Sequence, residues 1–454
     1  MEKNLTEGSI LKNILIFSLP FLLSYFLQTL YGMADLFIAG QYNGADVITA
    51  VSVGSQLMHM VTVIIVGLAA GGSVLIGQSV GAKNFSRAAK VTGNTVSFFF
   101  FLSIFLTVLL LVFSRGIVNL ISTPEESVEE AVTYLRICFA GIPFIVGYNT
   151  VSAIYRGTGD SATPMIFIAV ACVLNILLDF IFMGLLKMKA GGAALATVIS
   201  QAVSVIISFI AMKKSKSGIK IARNDFVFDK TILSGILKIG FPIAVQDGFV
   251  QVSFMVITVI ANRRGVEIAA AVGIVEKIIT FLFLVPSTML STVSAVSAQN
   301  FGAEKYERAE KTLFAGTAIA TGIGAVFALF FQFGSYRVLS FFTDNQTVVE
   351  LGVQYLKSYV FDCIFAAVHF SFGGYFTAMG KSIFSFINNT ISIIFVRIPG
   401  AFLASKFYPE TLYPMGWAAP GGSALSSLIC VFFFIAIKKS MLKNAEKETS
   451  ILKS

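Results

Sequence analysis

Long apolar stretches follow one another along the whole chain, and they constrain its fold more than any other feature. A transmembrane helix needs about 20 mainly apolar residues. Twelve stretches meet that length, near 12–40, 48–78, 92–114, 130–155, 162–186, 190–212, 232–262, 267–296, 311–334, 350–378, 384–406 and 418–438. Charged residues make up only 13% of the chain, whereas soluble domains average about 25%. The sequence therefore predicts an all-α membrane protein with about twelve transmembrane helices.

The basic residues predict how these helices are oriented. The net charge of +9 would suggest a nucleic-acid partner in a soluble protein, but here Lys and Arg concentrate in short loops and near both termini. The even-numbered loops contain Lys83, Arg87, Lys305 and Arg308, whereas the loop at 41–47 contains no basic residue. Because cytoplasmic loops are enriched in Lys and Arg, we expect a multi-pass protein of the cell membrane with both termini cytoplasmic and no nucleic-acid partner.

The second half of the chain repeats four motifs of the first half in the same order. The longest is GQSVGAKNFSRAAK at 77–90, which resembles AQNFGAEKYERAEK at 298–311, 221 positions later. The other matched pairs are Pro20 with Pro242, 159–161 with 380–382, and 191–199 with 421–429. Four matches in one order indicate an internal duplication.

Each half of this repeat contains six predicted spans, and an even number keeps both halves in the same orientation. Parallel repeats of this kind build transporters whose binding sites lie near the middle of the membrane. We predict two pseudo-symmetric six-helix lobes, 1–212 and 232–454, joined by a cytoplasmic linker at 213–231. Four prolines inside the spans are expected to mark bends: Pro20, Pro242, Pro286 and Pro399.

Four polar residues of the first half stand out inside apolar spans. Asp35 lies in the first span, Asn175 and Asp179 in the fifth, and Thr197 in the sixth. A charged side chain at the centre of a membrane helix costs about 2.5–3.5 kcal/mol on insertion scales, so each acid needs a reason. Their oxygen-only ligands suit Na⁺, or a proton shared between the carboxylates. A structural alternative is that the two acids pair with a buried donor such as Arg156.

The second half lacks these acids at the equivalent positions. The residues that correspond to Asp35, Asn175, Asp179 and Thr197 are, in that order, Ile257, Val396, Gly400 and Ser427. The repeat keeps its apolar framework without the carboxylates, so the carboxylates are not needed to form the helices. This asymmetry favours a functional role over a structural one.

Other polar residues lie in the spans around and after the linker, and four of them are candidate substrate contacts: Asp247, Gln251, Glu276 and Asp362. Arg397 offers a buried partner for Glu276 and Asp362. Ion pairing across helices is therefore as good an interpretation of those two acids as substrate binding.

The chain resembles the multidrug and toxic compound extrusion (MATE) family of cation-coupled exporters. The resemblance covers essentially the whole chain. It is carried by SLPFLLSYFLQTLYGMADLFIAG in the first span, GQSVGAKN after the second, AIYRGTGDSATPM before the fifth and GGAALATVISQ in the sixth. It implies two six-helix lobes that form a V around a central cavity, with Asp35, Asn175, Asp179 and Thr197 as the cation site.

The resemblance also implies a function. Its members exchange Na⁺ or H⁺ for bulky, often cationic organic compounds, so we expect an antiporter that works by alternating access. We expect small organic cations or other amphipathic drugs as substrates, no cofactor apart from the coupling ion, and a monomer in the lipid bilayer with no obligate protein partner. One branch of the family has a Glu in the seventh helix where this chain has Gln251, so a second cation site is not implied.

Other functions fit the sequence less well. A lipid-linked oligosaccharide flippase of the same superfamily would need several basic residues for a pyrophosphate, and only Arg136, Lys277 and Arg397 are available. A passive channel or a receptor does not explain an acidic site in one lobe only. An enzyme is not expected, because the loops are short and no nucleophile–base constellation occurs. The sequence leaves Na⁺ and H⁺ open as alternative coupling ions.

Overall fold

The computed structural model describes residues 4–121, 123–214, 219 and 221–451, and every regular element in those ranges is helical. The first half contains α1 (Ile10–Tyr42), α2 (Ala45–Gly81), α3 (Phe85–Leu120), α4 (Val128–Ala140), α5 (Ile142–Gly157), α6 (Ala162–Asp179) and α7 (Lys189–Lys214). The second half contains α8 (Lys230–Asn262), α9 (Val266–Leu282), α10 (Leu284–Gly302), α11 (Tyr306–Ser340), α12 (Gln346–Tyr359), α13 (Asp362–Ala378), α14 (Ile383–Ser392), α15 (Ile398–Phe407), α16 (Tyr413–Gly416) and α17 (Ala418–Ile451). Two π-helical segments, Phe180–Leu185 and Ile393–Arg397, directly follow α6 and α14.

The described helices supply the twelve spans that the sequence predicts. Ten are long, apolar helical segments, and two more are bent pairs in which α4 meets α5 at 49° and α12 meets α13 at 41°. The first bend falls at Gly141, where a side chain would overlap Val198 of α7, and Pro143 then stands in the first turn of α5. The all-α transmembrane fold is confirmed, while the hydropathy pattern did not predict these two bends.

The four prolines within spans fall into two groups. Pro20 and Pro242 lie inside α1 and α8, which continue through them as single helices. Pro286 stands in the first turn of α10, which is separated from the end of α9 by one residue, and Pro399 stands in the first turn of α15, directly after the π-helical segment Ile393–Arg397. Proline suits a first turn because the N–H that it lacks would have no helical partner there. The bends expected at these prolines stay a prediction.

Two compact units can be distinguished by the packing of their residues. The first contains the described chain up to Gly248 together with Ala295–Ala309, and the second contains Phe249–Ser294 and the described chain from Glu310 onwards. The units differ from the repeat halves because the first part of α8 and the end of α10 pack with the first half. Within the predicted linker, residues 215–218 and 220 lie outside the described residues.

The longest repeated motif lies where α2 and α10 cross inside the first unit. A side chain at Gly81 would overlap the carbonyl oxygen of Gln299, and one at Gly302 would overlap that of Gln78. The two contacts are equivalent under the repeat, which matches Gln78 with Gln299 and Gly81 with Gly302. Small residues allow helix backbones to approach this closely, so the motif is explained by the crossing of the two helices.

The outer helix α3 shows how the chain faces lipid. Its side chains Phe101, Phe105 and Val112 are 58%, 61% and 71% exposed, whereas its Phe99 is buried with Tyr134 in the core of the first unit. A row of large exposed apolar side chains along a span is suited to hydrocarbon rather than to water. The first unit is therefore a helical membrane body with a packed interior.

Candidate cation site

Three helices of the first unit bring the four predicted site residues together. Asp35 lies on α1, Asn175 and Asp179 lie on the last two turns of α6, and Thr197 lies on α7. Helix α6 packs against both α1 and α7. Positions 175 and 179 are four residues apart and share one helix face, while Leu177 on another face is 55% exposed. The register of α6 therefore turns its amide and its carboxylate inwards.

The site is withdrawn from solvent. Asp35 is 2% exposed, Asn175 1% and Asp179 0%, and Thr197 is half-buried. The side chains of Asp179, Asn175 and Thr197 lie within interaction range of the Asp35 carboxylate. Asn175 Nδ2 donates a hydrogen bond to Thr197 Oγ1 over 3.4 Å, and this bond leaves Asn175 Oδ1 available to a ligand.

Four buried oxygen atoms of this site accept no hydrogen bond from the part of the chain that the structure describes. They are Asp35 Oδ1, Asn175 Oδ1 and both carboxylate oxygens of Asp179. Buried polar atoms are nearly always hydrogen-bonded in folded proteins, and an unpaired buried charge is costlier still. Four such acceptors on two packed helices form a region of negative potential that a cation or a proton would neutralise.

The chemistry of these ligands restricts which positive species fits. Carboxylate, amide and hydroxyl oxygens suit hard cations, whereas thiolate and imidazole suit transition metals. Within the described ranges, no group of three or more His, Cys, Asp or Glu side chains is arranged to hold a metal ion. Two neighbouring carboxylates in a buried setting resist joint ionisation, so proton binding and cation binding at this site compete for the same oxygens.

Asp35 and Asp179 do not pair with Arg156, which was the structural alternative for these acids. The Arg156 guanidinium lies over the ring of Phe21, 5.5 Å from its centroid, and lines a separate pocket nearer the beginning of α1. Among the described residues, neither Asp35 nor Asp179 has a basic partner within ion-pair distance.

Two tyrosines near the site were missed by the sequence reasoning. Tyr31 and Tyr134 lie within electrostatic range of Asp35, and Tyr134 shares a hydrogen bond of 3.0 Å with Ser55 Oγ. The sequence does contain a signal for Tyr31, because it precedes Asp35 by four residues and lies on the same face of α1. Tyr134 comes from α4, and no local pattern links it to the first span.

A π-helical segment begins immediately after Asp179. It covers Phe180–Leu185 and contacts α1 and α7, the helices that carry Asp35 and Thr197. π-Helical turns inside α-helices occur frequently at functional sites, because the wider turn changes the direction of the side chains that follow. Here the segment starts directly after Asp179, the residue that ends the acidic face of α6.

The four candidate substrate residues fall in different units. Asp247 lies in the first unit, where its carboxylate faces Gly67 of α2, while the other three lie in the second unit. Gln251 is half-buried on α8 and makes no hydrogen bond with the described part of the chain. A substrate role for these residues stays a prediction.

Glu276 and Asp362 lie in the electrostatic range of one buried arginine. Arg397 is 9% exposed, donates a hydrogen bond of 3.0 Å to the hydroxyl of Tyr359, and lies 4.6 Å from the centroid of the Phe254 ring. Both acids interact electrostatically with its guanidinium. The second unit thus contains its own fixed positive charge beside its acids, unlike the site in the first unit.

Comparison with known proteins gives consistent matches along the chain. The MatE family model matches twice, at residues 20–181 and 242–403, and the two matches are 222 positions apart. The chain is 27% identical over 436 residues to the probable multidrug resistance protein YoeA of Bacillus subtilis (strain 168), covering 94% of each chain. It is 25% identical over 383 residues to the multidrug export protein MepA of Staphylococcus aureus (strain NCTC 8325 / PS 47), covering 83% of each chain. Among solved structures, a crystal structure of MATE in the straight conformation superposes with a TM-score of 0.90 at 22% identity, over 97% of this chain and 98% of the other.

Proposed function

This chain belongs to the MatE family of membrane transporters, and we propose that it is a cation-coupled antiporter that exports bulky organic cations by alternating access. Relatives along its whole length are named multidrug resistance and multidrug export proteins, which supports multidrug export as its task. The coupling ion would be Na⁺ or H⁺, and it would bind at Asp35, Asn175, Asp179 and Thr197.

The observation that carries this proposal is the set of four buried oxygen atoms without hydrogen-bond partners. These atoms lie on α1 and α6, so a bound cation or proton would link two helices that otherwise repel each other through their carboxylates. Loss of that ligand changes the interaction between α1 and α6 in a way that apolar packing alone would not. Such a difference between liganded and unliganded states is what ion coupling requires.

The internal repeat supports a functional reason for the acids. The family model matches both halves, yet the positions equivalent to Asp35 and Asp179 are Ile257 and Gly400. The second half forms its transmembrane helices without these acids, so their burial cost is not a requirement of the fold. The coupling machinery would then reside in one half of a duplicated scaffold.

The membrane potential would contribute to the driving force. Moving one positive charge inwards across the membrane is worth about 2.3 kcal/mol per 100 mV. In the proposed cycle, the cation enters the first-unit site while it is accessible from outside, substrate leaves, and the cation is released inside before substrate binds again. Each exported molecule would therefore be linked to the inward movement of a positive ion.

Uphill transport tests this function. Energised membrane vesicles are loaded with a fluorescent organic cation, and its accumulation against the gradient is followed for the wild type, Asp35→Asn and Asp344→Asn. Asp344 is an exposed acid outside the site and serves as the matched control. We expect accumulation with the wild type and Asp344→Asn but not with Asp35→Asn. Equal accumulation by all three proteins would overturn the coupling role of Asp35, and purely downhill flux would indicate a channel.

A further inference from the structure

A second polar pocket lies within the first unit, towards the beginning of α1. It is a small pocket with a volume of about 30 Å³, and it is formed by α1, α2, α5 and the start of α6. Its polar lining includes Arg156, Tyr25, Gln28, Tyr148 and Ser161. All of these side chains except Arg156 are neutral, so the pocket carries a net positive charge.

The guanidinium in this pocket has no carboxylate partner. Among the described residues, no acid lies within the 4.0 Å that defines an ion pair with Arg156, and its side chain makes no hydrogen bond. The nearest acid along the chain is Asp160, and it is already engaged as the cap of α6, accepting from the backbone N–H groups of Ala162 and Thr163 at 3.0 Å each. Asp247 faces Gly67 on α2 instead.

The position of the guanidinium is nevertheless fixed. It lies over the face of the Phe21 ring, 5.5 Å from the centroid, a stacking arrangement in which arginine is attracted to the aromatic face while its edge remains free. The five N–H donors of arginine form a planar fork that matches carboxylate and phosphate oxygens. Gln28 and Ser161 bring further donor groups to the same pocket.

The fold does not require a basic residue at this position. The repeat offset of 221 positions places Thr377 at the position equivalent to Arg156, and Thr377 is buried in the corresponding helix of the second half. Arg156 therefore follows the same pattern as Asp35. In both cases a charged side chain of the first half is replaced by an uncharged one, Thr377 or Ile257, in the second half.

We propose that this pocket binds an anionic group, a carboxylate or a phosphate carried by an amphiphile, through the guanidinium of Arg156. Gln28 and Asp35 are seven residues apart, so they share one face of α1 and are separated by about 10 Å along its axis. The anionic pocket ligand and the coupling ion would thus occupy different levels of the same unit. The inference rests on Arg156 and its surroundings and does not depend on the coupling role of Asp35.

Binding selectivity tests the proposal. The purified full-length protein in a neutral detergent is titrated with decanoate and with decanamide, which has the same chain length without the charge. We expect the wild type to bind decanoate at least about tenfold more tightly than decanamide, as a charge-assisted hydrogen bond implies. Arg156→Thr should bind the two probes alike, and Arg136→Gln, which changes an exposed arginine of α4, should behave as the wild type.

Two further arms identify the source of the anion and protect the test against misfolding. In nanodiscs, decanoate binding is compared between phosphatidylglycerol and phosphatidylcholine. Weaker binding in phosphatidylglycerol indicates that a lipid phosphate competes for the pocket, and equal binding indicates that the pocket takes only free amphiphiles. Both results support an anion site. If Arg156→Thr does not fold, the binding of decanoate and decanamide to Arg156→Lys and to the wild type decides whether the proposal holds. A wild type that binds decanoate and decanamide equally, or an Arg156→Thr protein with undiminished decanoate binding, would overturn the proposal. Retained decanoate binding in Asp35→Asn separates this site from the coupling site.

Discussion

At the scale of single residues, the two units treat their buried acids differently. Among the described residues, Asp35, Asp179, Glu276 and Asp362 all have oxygen atoms without hydrogen-bond partners and no ion-pair partner, but no basic side chain acts electrostatically on the first two. Glu276 and Asp362 share the field of Arg397. In the first case the positive charge has to come from solution, and in the second it is built into the chain. This difference makes the first-unit acids suited to reversible binding.

Removing one charge from the first-unit site should stabilise the protein when no cation is bound. In Asp179→Asn the new amide can donate a hydrogen bond to the Asp35 carboxylate. This gives a partner to Asp35 Oδ1, which accepts no hydrogen bond from the described residues of the wild type. We expect the unfolding free energy to rise by on the order of 1–3 kcal/mol, measured as thermal unfolding in detergent without Na⁺ at neutral pH. Asp344→Asn should leave stability unchanged, and a less stable Asp179→Asn protein would count against unpaired acids at this site.

The opposite effect is expected at Arg397. Arg397→Met removes the positive charge beside Glu276 and Asp362 and the donor to Tyr359, so unpaired charge stays buried. Among the described residues no acid lies within ion-pair distance of Arg397, so the cost is that of the lost hydrogen bond and the lost compensation of charge. We expect on the order of 1–3 kcal/mol, and the thermal midpoint should fall accordingly. Lys277→Met is the control, because Lys277 is exposed on the same helix as Glu276. Equal stability of the two variants would show that Arg397 does not compensate these acids.

At the scale of helices, the sequence predicted most of what was found, and its failures have physical causes. Hydropathy located all twelve spans because each needs an apolar length that composition alone reveals. It missed the bend between α4 and α5, since that bend depends on the contact of Gly141 with Val198 from a distant helix. Hydropathy also did not predict Tyr134 near the site or the pocket of Arg156, because both depend on which helices are neighbours.

The crossing of α2 and α10 yields a prediction about these helices. Gly81→Ala forces a methyl group against the backbone of Gln299, and overpacking of this kind costs about 1–3 kcal/mol. We expect a lower thermal midpoint and less folded protein in the membrane fraction. Gly322→Ala in α11 is the matched control, because nothing lies within 4 Å of the new methyl group and alanine favours a helix more than glycine does. A Gly81→Ala protein as stable as the control would contradict the close crossing.

At the scale of the whole molecule, duplication and asymmetry together describe the chain. The two matches to the family model are separated by a constant offset, so both halves share a scaffold. Asp35 and Asp179, the acids proposed to couple transport, and Arg156 are confined to the first half, while Arg397 with its two acids is confined to the second. The sequence alone shows that the second half lacks these acids, but only the fold shows that Asp35, Asn175, Asp179 and Thr197 lie together.

The orientation of the chain can be tested by labelling. The positive-inside rule places the end of α1, which contains Gln41, outside and the loop containing Glu304 in the cytoplasm. In intact cells, a membrane-impermeant maleimide should label Gln41→Cys and should label Glu304→Cys only after permeabilisation. The four native cysteines are buried, so background labelling should be low. Labelling of Glu304→Cys in intact cells would reverse the predicted orientation.

The most direct test of the central claim, that the first-unit acids couple transport to a cation gradient, uses the purified chain in proteoliposomes. Efflux of an organic cation is measured with only a Na⁺ gradient, with only a proton gradient, and with neither. One of the two gradients should drive transport in the wild type and in Asp344→Asn, and neither should drive it in Asp35→Asn or Asp179→Asn. Gradient-driven efflux that persists in the protein carrying both Asp35→Asn and Asp179→Asn would contradict the account.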